Sequence, residues 1–239
     1  MQQSRARLDE QERLLLGVAE QLMQPLVQLK RLSELADGDT PERARERWQV
    51  AQVVSEAGLR LAESYALSLR VQGKMTALQI EPVTVSSLLY DTAQDLQDFA
   101  RQYDVELELD TGPRLQPVLA DRSVLQSALT SLGQVFVLAQ AETNEDAPVR
   151  LSAHKSRYGV VAGLYGGTVG LGAESLRRAH ALQGTARQPL RQLVSGPAAG
   201  VFVADSLLHT LSARLHVARY HKLAGLAATL TPSHQLQLV

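Results

Sequence analysis

The sequence predicts an α+β protein: an N-terminal hairpin of two long helices, then an α/β unit of alternating strands and helices. Three observations carry this reading. Leucines recur at heptad spacing through the first 36 residues, the break Gly38-Asp39-Thr40-Pro41 is followed by a second apolar stripe, and near Pro82 the texture changes to short apolar runs bounded by turn residues. The division falls between residues 1–76, the hairpin, and 77–239, the α/β domain.

Leu8, Leu15, Leu22 and Leu29 share one heptad position, so residues 5–36 should form an amphipathic helix. Its seam, Leu15, Val18, Leu22, Leu29 and Leu32, needs a partner helix. Pro25 removes one backbone donor in mid-helix and should bend it. Gly38 then stops the helix, Thr40 is a cap candidate and Pro41 suits a first helical turn. The second helix carries Trp48, Val50, Val54, Ala57, Leu61 and Leu67 on its apolar side and runs to about residue 72. Two such helices bury one stripe each, and dimerisation into a four-helix bundle would bury the rest. A bundle closed within one chain is the alternative, and Trp48 reads as core or interface packing.

In the second unit, Ser86 or Ser87 can cap a helix to about Tyr103, and Val105 to Leu109 alternates as a half-buried strand does. Pro117 to Leu119 reads as a short strand, and 121–140 has the spacing of a buried helix. Residues 149–154 and 159–165 form a strand hairpin. The stretch 166–199, rich in Gly, Arg and Gln, should hold a short helix near 173–182. A helix at 200–212 precedes strands at Leu215 to Arg219, Leu223 to Leu230 and Gln235 to Val239. The sum is an antiparallel or mixed sheet with helices on one face.

Composition excludes several classes. Among 239 residues, 24 Lys plus Arg face 25 Asp plus Glu, so no global field draws nucleic acid or an anionic membrane. There is no cysteine, hence no disulfide, thiolate metal site or thiol nucleophile. No apolar run approaches the roughly 20 residues of a membrane span. The amino terminus is not of signal-peptide type, and the cytoplasm is the expected address. The six histidines show no metal-binding spacing. Neither a G-x-S-x-G elbow nor a P-loop occurs.

Three stretches resemble the cytoplasmic core of bacterial two-component histidine kinases. Ala19-Glu20-Gln21-Leu22-Met23-Gln24-Pro25-Leu26 looks like the family's phosphoacceptor box, S-H-E-L-R-T-P-L, and so accounts for Pro25. Leu78 to Leu89 with 105–129 resembles the approach to the ATPase domain and its strand, strand and helix. Residues 195–218 resemble the last glycine box with its helix and next strand. The likeness spans nearly the whole chain, although each motif is degenerate. It implies a phosphoacceptor-type dimerisation hairpin followed by a histidine-kinase-type ATPase-like α/β sandwich.

The resemblance also implies where chemistry is missing. Glu20 stands at the histidine position, and no histidine occurs before His154. Gln21 replaces the adjacent acid and cannot take a proton at neutral pH. The family's magnesium asparagine falls at Ser131 and Val135 in this register, and neither replaces it. The adenine aspartate and its glycine box are matched by Leu164-Tyr165-Gly166-Gly167-Thr168, without a carboxylate. The last glycine box is thinned to Gly196-Pro197-Ala198-Ala199-Gly200. No metal and no cofactor is therefore expected. The glycines and arginines of 166–200 leave ATP or another phosphate compound as an open alternative to a solvated basic loop.

The expected function is that of a catalytically silent relative, a pseudokinase acting in two-component signalling as a homodimeric scaffold. Its docking face would be Glu20, Gln21, Met23, Gln24 and Gln28, where the family meets the receiver domain of a response regulator, and it would bind such a domain or modulate an active kinase. An atypical ATP-binding kinase with relocated catalytic residues is the alternative.

Overall fold

The computed structural model describes residues 23, 25–35, 40–143, 147–167 and 198–233. Helix α1 covers residues 25–34, and the antiparallel-hairpin partner α2 spans Pro41–Gln72. Thr40 caps α2: its Oγ1 accepts from the Arg43 N–H at 3.4 Å, with Pro41 at the first helical position. Strand β1 (Glu81–Val83), helix α3 (Val85–Gln102), strands β2 (Leu107–Thr111) and β3 (Val118–Ala120), and helix α4 (Arg122–Thr143) follow. The chain continues through β4 (Val149–Ser156), β5 (Gly159–Gly166), α5 (Ala198–Thr210), β6 (Leu215–Tyr220) and β7 (Leu223–Leu230).

Five strands form one mixed sheet in the order β2-β4-β5-β7-β6. Its β2–β4 pair is parallel and the other pairs antiparallel. Leu151 stands opposite Leu164, and Leu164 opposite Leu226, so one face presents a continuous apolar row. Against it lie Val124, Leu125, Ala128, Leu132, Val135 and Phe136 of α4 with Val201 and Leu207 of α5, all at most 3% exposed. Among the described helices, α4 alone is long and apolar enough to cross a membrane, but 78% of its apolar window is buried inside the fold. It is the core helix. Asp121 fixes its start, accepting from the Val124 N–H at 3.1 Å and the Gln79 N–H at 2.8 Å. Burial raises the Asp121 carboxyl, yet these bonds and that of Ser123 together hold it below its ordinary value.

Three helices end in the same way, without glycine in the left-handed position. Lys74 after α2, Asp104 after α3 and Ser212 after α5 have φ of 55°, 54° and 58°. The next amide closes each turn: Met75 N to Arg70 O at 2.9 Å, Val105 N to Ala100 O at 3.0 Å, and Ala213 N to Leu208 O at 3.0 Å.

Several expectations are corrected. Helix α3 starts at Val85, anchored in the core at 1% exposure, and its cap position is Thr84 rather than Ser86 or Ser87. Val105 is consumed in closing that helix, so β2 begins at Leu107. Strand β1 was not foreseen, and it pairs with β3 in a separate two-stranded sheet. Trp48 is 77% exposed, so it packs in no core of this chain. The short helix near 173–182 and the strand Gln235 to Val239 lie outside the described residues, as does residue 5–22 of the first helix.

Val54, Leu61, Tyr65 and Val71 of α2 are buried, and Tyr65 and Val71 belong to the same apolar cluster as the sheet and α4. The hairpin therefore gives one face to the α/β unit. Its other side leaves Leu26, Val27, Leu35, Trp48 and Leu59 exposed.

Candidate functional site

The positions that the resemblance assigns to metal and phosphate meet where α2 crosses α4. Ser131 and Val135 of α4 and Gly200 of α5 line one cavity, together with Gln134, Leu138, Phe99 and Tyr103. Its other wall is the hairpin: Pro25 and Gln28 of α1, and Val54, Ala57, Gly58 and Leu61 of α2. Leu164 and Gly166 do not line it. Leu164 is fully buried in the apolar row of β5, and Gly166 ends that strand opposite Ala224.

Polar contacts tie the two walls. The Tyr103 hydroxyl donates to Gln28 Oε1 at 3.1 Å, and the Gln134 amide donates to the Ala57 carbonyl at 3.3 Å. Pro25 fits beside Gly58, where an added Cβ would stand 3.1 Å from its Cγ, tighter than ordinary contact. Ser131 is 1% exposed and its Oγ has no hydrogen-bond partner. The cavity holds about 60 Å³, whereas pockets for ligands of drug size run to about 300–1,000 Å³.

None of the described lining side chains carries a charge. Magnesium with nucleotide phosphates demands hard oxygen ligands and cations, and two hydroxyls with two amides do not supply that set. Among the described residues no group of three His, Asp or Glu side chains could hold a metal ion. Among the described residues, those that line this cavity do not make such a ligand set.

The docking and seam positions divide. Glu20, Gln21 and Gln24, the seam residues Leu15, Val18 and Leu22, and Gly196 lie outside the described residues. Met23 is 54% exposed. Gln28 is a correction: it faces α3 and the cavity, held there by Tyr103, and is not on an outward docking face. Leu29 and Leu32 line a groove between α1 and α2 of about 340 Å³, with Trp48, Ala44 and Ala51 beside them.

Sequence reasoning missed a second polar cluster, on the sheet face turned away from the helices. Asp110, His154, Tyr165, Tyr220 and His221 meet there around the apolar patch of Val161 and Ala227. They come from four separate stretches, and only the register of the folded sheet brings them together. Beside them Arg150 Nε donates to Glu108 Oε2 at 2.8 Å.

No family model matches the sequence, and no curated protein matches it. Solved structures do. The histidine kinase AdeS of Acinetobacter baumannii is 14% identical and superposes with a TM-score of 0.52, over 89% of this chain and 98% of that one. Full-length ShkA, solved in complex with AMPPNP, is 18% identical with a TM-score of 0.52, over 95% of this chain and 46% of its own. At such identities the likeness is one of fold. Two helices leading into a five-stranded mixed sheet backed by three helices make this the fold of a histidine kinase core.

Proposed function

We propose that this chain acts in two-component signalling as a histidine-kinase-like scaffold that transfers no phosphoryl group. In this reading residues 1–76 serve as a cytoplasmic dimerisation hairpin, and residues 77–239 as an ATPase-like domain that has lost its nucleotide. The observation that carries it is the joint between α2 and α4: where the family needs metal and phosphate ligands, an uncharged cavity of about 60 Å³ is roofed by the chain's own hairpin. Glu20 at the acceptor position and Gln21 beside it support the same reading, because an acyl phosphate is no stable donor like a phosphorylated imidazole.

Homodimerisation is supported by Leu26, Trp48 and Leu59, 59–77% exposed on the hairpin, and by the groove at Leu29 and Leu32. The first helix around Glu20, Gln21, Met23 and Gln24 is the proposed surface for a receiver domain or a related active kinase. Polar amides and a flexible methionine suit adaptable contact.

Titration calorimetry with ATP and Mg²⁺, followed by incubation with γ-labelled ATP, tests the reading. Neither heat of binding nor label on the chain is expected, while the purified protein should elute at twice the chain mass. Saturable magnesium-dependent binding, or label stable on the chain, overturns it in favour of an atypical kinase with relocated residues.

A further inference from the structure

Strands β2 and β6 are opposite edges of the sheet. Laid flat they would stand about 19 Å apart, four inter-strand spacings. Yet the Tyr220 hydroxyl at the end of β6 donates to Asp110 Oδ2 of β2 at 3.1 Å. The twist of the sheet therefore coils its outer face until the two edges meet. Beneath the bridge lies Tyr165, fully buried, its ring over Gly225 and 5.4 Å from that of Tyr220. The His154 ring stacks on that of Tyr220 at 5.2 Å and 12°. The hairpin tip is aimed by two left-handed residues, His221 at φ 45° and Lys222 at φ 69°.

We propose that Asp110, His154 and Tyr220 form a proton-operated latch, which holds the tip of the β6–β7 hairpin across the outer sheet face near neutral pH and releases it on acidification. The geometry makes His154 the sensitive part. Its Nδ1 is buried without a hydrogen-bond partner. As a neutral ring this nitrogen can stay a bare acceptor at modest cost, but a proton turns it into a charged donor with nothing to receive it. A protonated ring finds an acceptor only by leaving the stack for solvent or by taking Asp110 from Tyr220. The first move removes the ring packed on Tyr220, and the second takes its acceptor, so each loosens the bridge.

Burial lowers the His154 pKa, and the Asp110 charge only partly opposes it. The sign follows: with the folded value below the unfolded one, this contribution is present above about pH 6.5 and is lost as pH falls through the folded value. The other groups facing the latch do not mimic this. Burial pushes Tyr165 up to about 12, so it stays neutral. Glu108 is paired with Arg150. His221, with Nε2 at 3.8 Å from Asp110, would pull the tip inward when charged, but its side chain is 63% exposed and solvent screens the pair. Lys222 at the tip is exposed to solvent.

Hydrogen exchange of the 219–223 segment, corrected for intrinsic rates, tests the latch. Between about pH 7.5 and about pH 5 its protection should fall about tenfold and reversibly, ahead of the α4 amides. His154→Phe keeps a ring on Tyr220 and removes the titration, so the pH response should vanish, whereas His221→Asn should retain it. Should His154→Phe fold poorly, the imidazole titration of the unaltered protein by NMR decides: a His154 pKa below about 6.5 is expected. A higher value, a pH response that survives in His154→Phe, or an unaltered protein indifferent to pH overturns the proposal.

Discussion

The joint between α2 and α4 and the outer face of the sheet are both half-buried polar places, but they are furnished in opposite ways. At the joint the polar groups are uncharged, Gln28, Tyr103, Ser131 and Gln134, and the walls are aliphatic and aromatic. The outer face gathers Glu108, Asp110, Arg150, His154 and His221 within one curl of the sheet. A surface built for phosphoryl transfer would concentrate charge at the joint. The described residues at the joint carry no charge, and the charged and imidazole side chains gather on the opposite side of the sheet. The difference teaches that uncharged packing and charge pairing are segregated to the two sides of this sheet.

The largest expected effect comes from the outer face. Gly225 has no side chain because a Cβ there would collide with the Leu164 carbonyl oxygen and stand 2.7 Å from Tyr165 Cδ1. Gly225→Ala must push Tyr165 off the sheet or spread β5 from β7, and overpacking of this kind costs about 3 kcal/mol. A urea titration followed by near-ultraviolet dichroism of the tyrosines should show both a lower midpoint and a weaker native signal. An unchanged native signal would mean that Tyr165 is not held by its contact with Gly225.

Leu61→Ala acts on the joint and asks whether hairpin and α/β unit are one body. Leu61 is 9% exposed and lines the cavity wall, so truncation should cost about 2 kcal/mol. The single tryptophan, Trp48, reports on α2, while Tyr165 and Tyr220 report on the sheet. Both probes should move to a lower urea midpoint together. A shift confined to Trp48 fluorescence would make the hairpin an independent unit and the joint a passing contact.

Much of the architecture was legible because capping residues and apolar runs are recorded directly in a linear sequence. Thr40-Pro41 marks the start of α2, and the apolar runs of α4, β4, β5 and β7 mark elements that the core encloses. The helix ends expected at about 72, 103 and 212 match Gln72, Gln102 and Thr210, but the turns that close them were not legible, since Lys74, Asp104 and Ser212 adopt the left-handed position that glycine usually marks. Nor was strand β1, whose three residues gain their identity only from pairing with β3. At the candidate site, Ser131, Val135 and Gly200 were singled out through resemblance, and they line one cavity. Their other wall was hidden, because Val54, Ala57 and Leu61 have the same apolar character whether a helix packs on a second copy or on its own domain. The outer cluster was invisible for a different reason: Asp110, His154 and Tyr220 lie far apart in sequence, and only coiling of the sheet makes them neighbours.

The smallest effect tests how firmly α1 is tied to the rest. Tyr103→Phe keeps the ring that packs at 5.0 Å on Phe99 and removes only the hydroxyl that reaches Gln28. A single neutral hydrogen bond is worth about 0.5–1.5 kcal/mol net, and part of its loss is the amide oxygen of Gln28 left unpaired. Gln28→Leu in the Tyr103→Phe background removes that unpaired oxygen, so the pair should be less destabilised than the two single changes summed. Urea midpoints of the four proteins give the coupling directly. A coupling indistinguishable from zero would detach α1 from α3, return Gln28 to the outward face, and restore it as a docking residue. A positive coupling fixes the opposite arrangement, in which one side of the first helix is spent on its own domain and only the side bearing Met23 remains for a partner.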